Sequence, residues 1–283
     1  MAAPPKRHLL RQIPPNRTID SVWRHFEVER SIAARLKAGD RALRKKIYAT
    51  MYDQLFDEVP DHPRLTRRAD EQQTARAIES KSRLVRPFAR SDASFLEFGS
   101  GDCRFCIAMA DRFAQVHAVD IADQIASGSP RPANFELIVY DGYDLDLPSG
   151  CIDIAFSDQL IEHLHPDDTA AHFSLVHRLL KPGGVYLFRT PHRLTGPHDV
   201  SRYFVEEAQG FHLKEWTYGE LTRLLGDLDY GSIRSYWFAK GILLRVPLGI
   251  FRMIEGLFRP MPGKLRRLLL PYLLPSIVIA VEK

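Results

Sequence analysis

An open α/β sheet of seven mostly parallel strands, doubly wound by helices, is the fold that this sequence predicts. Three observations lead there. From Ser94 onward short apolar runs alternate with amphipathic stretches, the signature of a parallel sheet. The run Ser94-Phe95-Leu96 enters a glycine-rich turn, Glu97-Phe98-Gly99-Ser100-Gly101-Asp102, and leaves it on an apolar helical face that begins at Phe105. Most strand candidates end at or just before a polar residue, namely Glu97, Asp120, Asp141, Ser157 and Thr190. In an open α/β sheet the carboxyl ends of the strands line one crevice, so these residues converge.

The elements run in order along the chain. Residues 1–90 read as a helical extension. Asp20 or Ser21 caps a helix with Val22, Phe26, Ile32 and Leu36 on one face, ending near Gly39. A second helix, 41–56, places Leu43, Ile47, Met51 and Leu55 about one turn apart. Prolines bracket a loop at 59–63, and a third helix runs from about Ala69 to Val85. Residues 91–240 form the core, with strands at 95–96, 116–119, 135–139, 152–156, 185–188 and 232–237. Helices start near Asp102, Asp123, Asp167 and Thr217, the last marked by the capping-box spacing Thr217-x-x-Glu220. Residues 241–283 form a basic, apolar helical insertion and then a final strand at 277–281. Pro247 sits in the first turn of that insertion, and Val246, Ile250, Met253, Ile254, Leu257 and Phe258 make its apolar face.

Charge is uneven along the chain. Residues 1–50 hold 12 Lys/Arg against 4 Asp/Glu, and residues 240–267 hold 7 against 1, which leaves the segment between them acidic. Such flanks are solvated helix faces, or they meet an anionic surface. For 241–272 both readings stand: a helical insertion packed over the sheet, or a peripheral contact with the inner membrane. Cys103, Cys106 and Cys151 make no disulfide framework, and the Cys103/Cys106 spacing lacks the second pair of a zinc site. An odd cysteine count points to a reducing, cytoplasmic setting. Residues 1–10 carry no apolar core of signal-peptide length. Pro271 and Pro275 interrupt the most apolar tract, which is shorter than the roughly 20 residues of a spanning helix.

The glycine turn and the acid Asp120, about twenty residues further on, form a nucleoside site in which Asp120 accepts from ribose hydroxyls. The third glycine of the dinucleotide fingerprint is absent, because Arg104 stands there. Glu97 at the strand end repels a pyrophosphate and suits a cationic amino-acid arm. A nucleoside without phosphate and with such an arm is S-adenosylmethionine. Asp141, before Gly142, accepts from an adenine amino group or simply forms an Asp-Gly turn.

Taken with Leu147-Pro148 to Ile152-Asp153, Ser157-Asp158-Gln159 and Leu180-Lys181-Pro182-Gly183-Gly184, these residues resemble the ordered motifs of class I S-adenosylmethionine-dependent methyltransferases. The resemblance covers roughly 94–190. Cys103 departs from it, standing where many members carry a third glycine. Outside that range, 48–63, 162–168, 196–199 and 210–217 resemble a bacterial subgroup linked to glycan pathways. The resemblance implies a Rossmann-like core in which Glu97, Gly99 and Gly101 line the methionine arm. Asp120 would hold the ribose, Asp141 the adenine edge, and Ser157, Asp158 and Gln159 would face the sulfonium and the acceptor. The turn at Lys181 to Gly184 is structural.

Methyl transfer to a hydroxyl needs a base, and neutral histidine suits it. His163, His198 and His212 lie beyond strand ends, while His165 belongs to a helix start. The acceptor implied is a small molecule or glycan, with a sugar hydroxyl of a glycan or lipid-linked glycan as the leading reading. Gln159-Leu160-Ile161-Glu162-His163 is also similar to a Glu-x-x-Glu-His metal motif of small-RNA and quinone O-methyltransferases, with His212 similar to a further ligand. Gln159 replaces the first glutamate, and a neutral amide is a weaker ligand for a hard cation, so no metal is assigned. An RNA acceptor is not favoured, since no basic groove studded with aromatics is evident. A cofactor-binding protein without catalysis is the reading from a different class.

Overall fold

The computed structural model of the chain describes residues 11–68, 70–126 and 128–283. Four helices come first: α1 (Ile19–Ala38), α2 (Arg41–Glu58), α3 (Pro63–Arg68) and α4 (Glu71–Val85). Strand and helix then alternate through β1 (Ser94–Phe98), α5 (Arg104–Met109), β2 (Gln115–Asp120), β3 (Phe135–Val139), β4 (Ile152–Asp158), α6 (Pro166–Leu179), β5 (Leu180–Thr190) and α7 (Tyr218–Gly226). The chain closes with β6 (Ser232–Ala239), β7 (Ile242–Arg245), α8 (Leu248–Phe258), α9 (Gly263–Leu273) and β8 (Ile277–Glu282). The stretch 1–10 and Ala69, the expected start of the third helix, lie outside the described residues.

The strands pair in the order β3-β2-β1-β4-β5-β8-β6-β7. The first five are parallel. Strand β8 runs antiparallel between β5 and β6, and β7 returns antiparallel on β6 at the edge. The sheet therefore has eight strands, one more than expected. Lys240 and Gly241 carry φ of 52° and 77°. Two consecutive positive-φ residues make a tight turn whose twist matches the flanking strands, so β6 folds straight back as β7 before any helix begins.

Two local expectations fail for identifiable reasons. Among the described residues no helix starts near Asp123: its side chain accepts the Ile125 N–H (3.0 Å), and Pro130 and Pro132 punctuate the run into β3. On α8 the buried side chains are Phe251 and Glu255, whereas Ile250, Met253 and Leu257 are exposed. A polar anchor sets this rotation. Glu255 accepts the N–H groups of Tyr218 (2.5 Å) and Gly219 (3.0 Å) and the His192 Nε2–H (2.8 Å), capping the N-terminus of α7 from another helix. Phe251 stacks on the Tyr218 ring at 4.3 Å.

Alternation along β1 divides the core. Leu96 and Phe98 join α6 and α7 on one face of the sheet, and Phe95 joins α4 and α5 on the other. Helices α1 and α2 build a third cluster, in which Ile32, Leu36, Ile47 and Leu55 meet Tyr143, Phe211 and Leu213. Thr18 caps α1, ahead of the candidates at Asp20 and Ser21, and Leu43 of α2 faces solvent instead of the core. The third cluster holds the N-terminal helices over the carboxyl ends of the strands. No helix among the described residues is long and apolar enough to cross a membrane.

Candidate active site

Strand order reverses direction between β1 and β4, the place where an open α/β sheet offers a ligand crevice. The glycine turn after β1 is tied to β2, because Gly99 and Ser100 donate to the Val119 carbonyl (2.8 and 3.2 Å). Gly99 and Gly101 have φ of 70° and 58°, which a side chain would strain. Gly101 donates to Asp120 Oδ2 (2.7 Å), and Ile121 donates to Oδ1 (2.8 Å). Burial pushes the Asp120 pKa up, against these amide donors. A carboxylate has about four acceptor positions, so Asp120 can brace the turn and still accept from ligand hydroxyls.

A cavity of about 430 Å³ opens here. Its sheet side is made by Gly99, Gly101, Asp120, Asp158, Gln159 and Leu160, and its other wall by Tyr48, Met51, Tyr52 and Arg64 of the N-terminal helices with Lys81 of α4. His163 opens onto the same space. Gln159 sits at φ 59°, rare for a side-chain-bearing residue, at the point where β4 delivers the chain into the cavity.

The remaining candidates lie outside the lining. Glu97 is fully buried and accepts from Lys81 Nζ (2.8 Å) and the Cys106 thiol (3.0 Å). Burial alone would lower the Lys81 pKa, but Glu97 and Asp158 together raise it and hold the ammonium charged. Asp141 pairs with Lys45 and accepts the N–H groups of Tyr143 (2.8 Å) and Asp144 (3.0 Å), a turn-forming arrangement. Ser157 shares a hydrogen bond with the Tyr186 hydroxyl (2.7 Å) inside the core. His198 Nε2 is taken by Thr195 Oγ1 (2.9 Å) and the His192 carbonyl (3.2 Å).

His163 donates Nδ1–H to the Phe211 carbonyl (2.9 Å), which leaves Nε2 as an acceptor. Burial and the neighbouring His212 push its pKa down to about 3, so the ring is neutral at physiological pH. His212 stands behind it, rings 4.9 Å apart, and donates Nδ1–H to Glu215 (2.8 Å). Burial alone would lower the His212 pKa, but Glu215, Glu162 and Asp199 raise it to about 9. Burial pushes Glu162 up to about 7.

Sequence reasoning missed Lys81, Arg64 and Arg189. Arg189 grips Asp158 with two hydrogen bonds (2.6 and 2.7 Å) at the cavity edge. It was findable, because it stands at the carboxyl end of β5 where the strand-end rule applies. Lys81 and Arg64 carry no such signal, since helical periodicity says nothing about which distant strand a side chain meets.

A parallel sheet crossed at its switch point by a glycine turn and a strand-end acid is a Rossmann-like arrangement, and methyltransferases are among the proteins that share it. Known proteins show the same likeness. Residues 96–188 match the methyltransferase-domain family. A stretch of 82 residues is 39% identical to a Mycolicibacterium smegmatis protein named as a probable S-adenosylmethionine-dependent methyltransferase, covering 29% of this chain. The chain spans about 30% of the length of that curated relative. A solved S-adenosylmethionine-dependent methyltransferase from Archaeoglobus fulgidus shares the fold, with a TM-score of 0.51 at 17% identity over 74% of this chain and 94% of that one. These matches support an enzyme of the methyltransferase type with S-adenosylmethionine as its cofactor.

Proposed function

We propose that this chain transfers a methyl group from S-adenosylmethionine to a hydroxyl of a sugar in a glycan or lipid-linked glycan. The observation that carries the hydroxyl acceptor is His163. Its Nδ1–H is committed to a backbone carbonyl, and its neutral ring opens onto the cavity of the glycine turn and Asp120. The acceptor oxygen attacks the methyl carbon as the carbon–sulfur bond breaks. S-adenosylhomocysteine leaves, and the hydroxyl proton passes to His163 Nε2. The reading keeps the protein in the reducing cytoplasm, consistent with three free cysteines of which Cys103 and Cys106 are buried.

Calorimetric titration with S-adenosylmethionine and S-adenosylhomocysteine, against NAD as control, tests the cofactor. A radiolabelled methyl-transfer screen over glycans and lipid-linked glycans then tests the acceptor. Micromolar cofactor binding with labelled product supports the reading. Cofactor binding without product on any acceptor favours a non-catalytic role.

A second reading rests on a separate observation. A ring nitrogen each of His163 and His212 and an oxygen of Glu162 lie within 4.8 Å of one another. Glu162 Oε1 is buried without a hydrogen-bond partner, while Oε2 accepts from Thr190 (2.9 Å). Nδ1 of both rings already donates, so an ion here would take the Nε2 atoms and would have to displace the second proton of His212. In this reading Glu162, His163 and His212 would hold a divalent cation, which would supply Lewis-acid activation of the acceptor oxygen of an RNA end or a quinone. Manganese titration monitored by electron paramagnetic resonance tests it: one bound ion, lost in His212→Gln, supports it, and no bound ion removes it.

A further inference from the structure

Of the twelve large hydrophobic side chains exposed among the described residues, ten fall within 242–273. They are not scattered. On α9, Leu265, Leu268, Leu269 and Tyr272 are 42, 66, 41 and 79% exposed, at spacings of 3, 4 and 7 from the first. That stripe is the one a surface helix ordinarily buries, yet the buried residue of α9 is Leu270. On α8, Ile250, Met253 and Leu257 make a second outward stripe. The helix is already anchored through its opposite face by Phe251 and Glu255, so the outward residues are surplus to the fold.

The charge around these stripes is predominantly positive, although the exposed Glu206 pairs with Arg267 of α9. Residues 240–267 contain 7 Lys/Arg and a single acid, Glu255. That acid is turned inward to cap α7, so the segment itself offers only positive charge outward, Glu206 neutralising Arg267 alone. Among the described residues Arg245, Arg252 and Arg259 are exposed and take part in no ion pair. A second copy of this chain would bring the same positive charges together. An anionic bilayer complements them, taking the apolar stripes into its interface and the guanidinium groups onto its phosphates.

We propose that the outward faces of α8 and α9 dock this protein on an anionic lipid bilayer. Helix α9 packs against the turn at 193–195, just beyond the carboxyl end of β5. Docking therefore sets the lipid surface near the carboxyl end of β5, where a lipid-linked acceptor would approach. The docking itself does not depend on methyl transfer.

The test is flotation of the full chain with phosphatidylcholine vesicles, with and without ~30% phosphatidylglycerol. Two double variants accompany it, Leu268→Glu/Tyr272→Glu and Arg252→Glu/Arg259→Glu, each checked by thermal melting. The expected result is flotation with anionic vesicles only, weakened about tenfold or more by raising salt to ~0.5 M. Both variants should stay with soluble protein at unchanged melting temperature; the second keeps the test valid should the first unfold. Wild-type protein left in the soluble fraction at low salt, or equal flotation with neutral vesicles, overturns the proposal. So does a wild-type dimer that the apolar variant dissociates, since a second copy would then be what covers these helices. Flotation needs no cofactor, so its failure is distinguishable from failure of the methyl-transfer reading.

Discussion

Glu97 has no exposure, and its two nearest donors are a lysine and a thiol of the same chain. Lys81 lines the cavity and Glu97 does not, so Glu97 meets this space only through the Lys81 ammonium. Lys81→Met leaves a buried carboxylate unpaired and should cost about 3–5 kcal/mol of stability. Adding Glu97→Gln should restore much of it, and urea unfolding of the single and double variants checks both. At His163 the expectation is kinetic. His163→Gln should lower kcat by about 10²–10⁴-fold while leaving S-adenosylhomocysteine affinity within about twofold. Unchanged turnover would place the base elsewhere.

Helix α1 is clasped to the rest of the molecule by carboxylates. Glu29 accepts the His25 Nε2–H (2.7 Å) and the Phe211 N–H (3.1 Å), and Arg17 grips Asp61 (2.8 and 3.1 Å). Phe211 is also the residue whose carbonyl orients His163, so this clasp reaches the cavity. The Arg17 hydrogen bond holds Asp61 down at about 2, below its usual 3.8. For Glu29, burial is outweighed by the hydrogen bond from His25 and the nearby His62 imidazole (3.8 Å), and its pKa also falls below 4.5. A depressed carboxylate contributes stability above its unfolded pKa and loses it as pH falls toward the folded value. Glu29→Gln should therefore cost about 2–4 kcal/mol near neutral pH. The gap to wild type should narrow as pH drops below about 4.5, which melting temperatures recorded across pH 7 to 3 measure.

At the scale of the whole molecule, the cavity has two walls of different origin. One is the carboxyl edge of the sheet, with the glycine turn and Asp120. The other is supplied by α2, α3 and α4. The two should separate experimentally. Asp120→Ala should weaken cofactor binding by about tenfold or more. Tyr52→Ala, on the opposite wall, should raise the acceptor KM with cofactor affinity nearly unchanged. If Tyr52→Ala instead weakens the cofactor alone, the helical wall belongs to the cofactor and the acceptor enters elsewhere.

The sequence by itself determined the parallel sheet, the glycine turn, the capping box at Thr217 and the strand-end position of Asp120. Period-two and period-3.6 patterning, turn chemistry and the geometry of strand ends are all written within a few neighbouring residues. Only the tertiary structure decided that Lys81 meets Glu97, that Glu255 turns α8 so its apolar stripe faces out, and that Lys240-Gly241 adds an eighth strand. It also decided that His163, rather than His198 or His212, lines the cavity. Each of these depends on which distant element a side chain meets, and local patterning carries no information about partners far away in the chain.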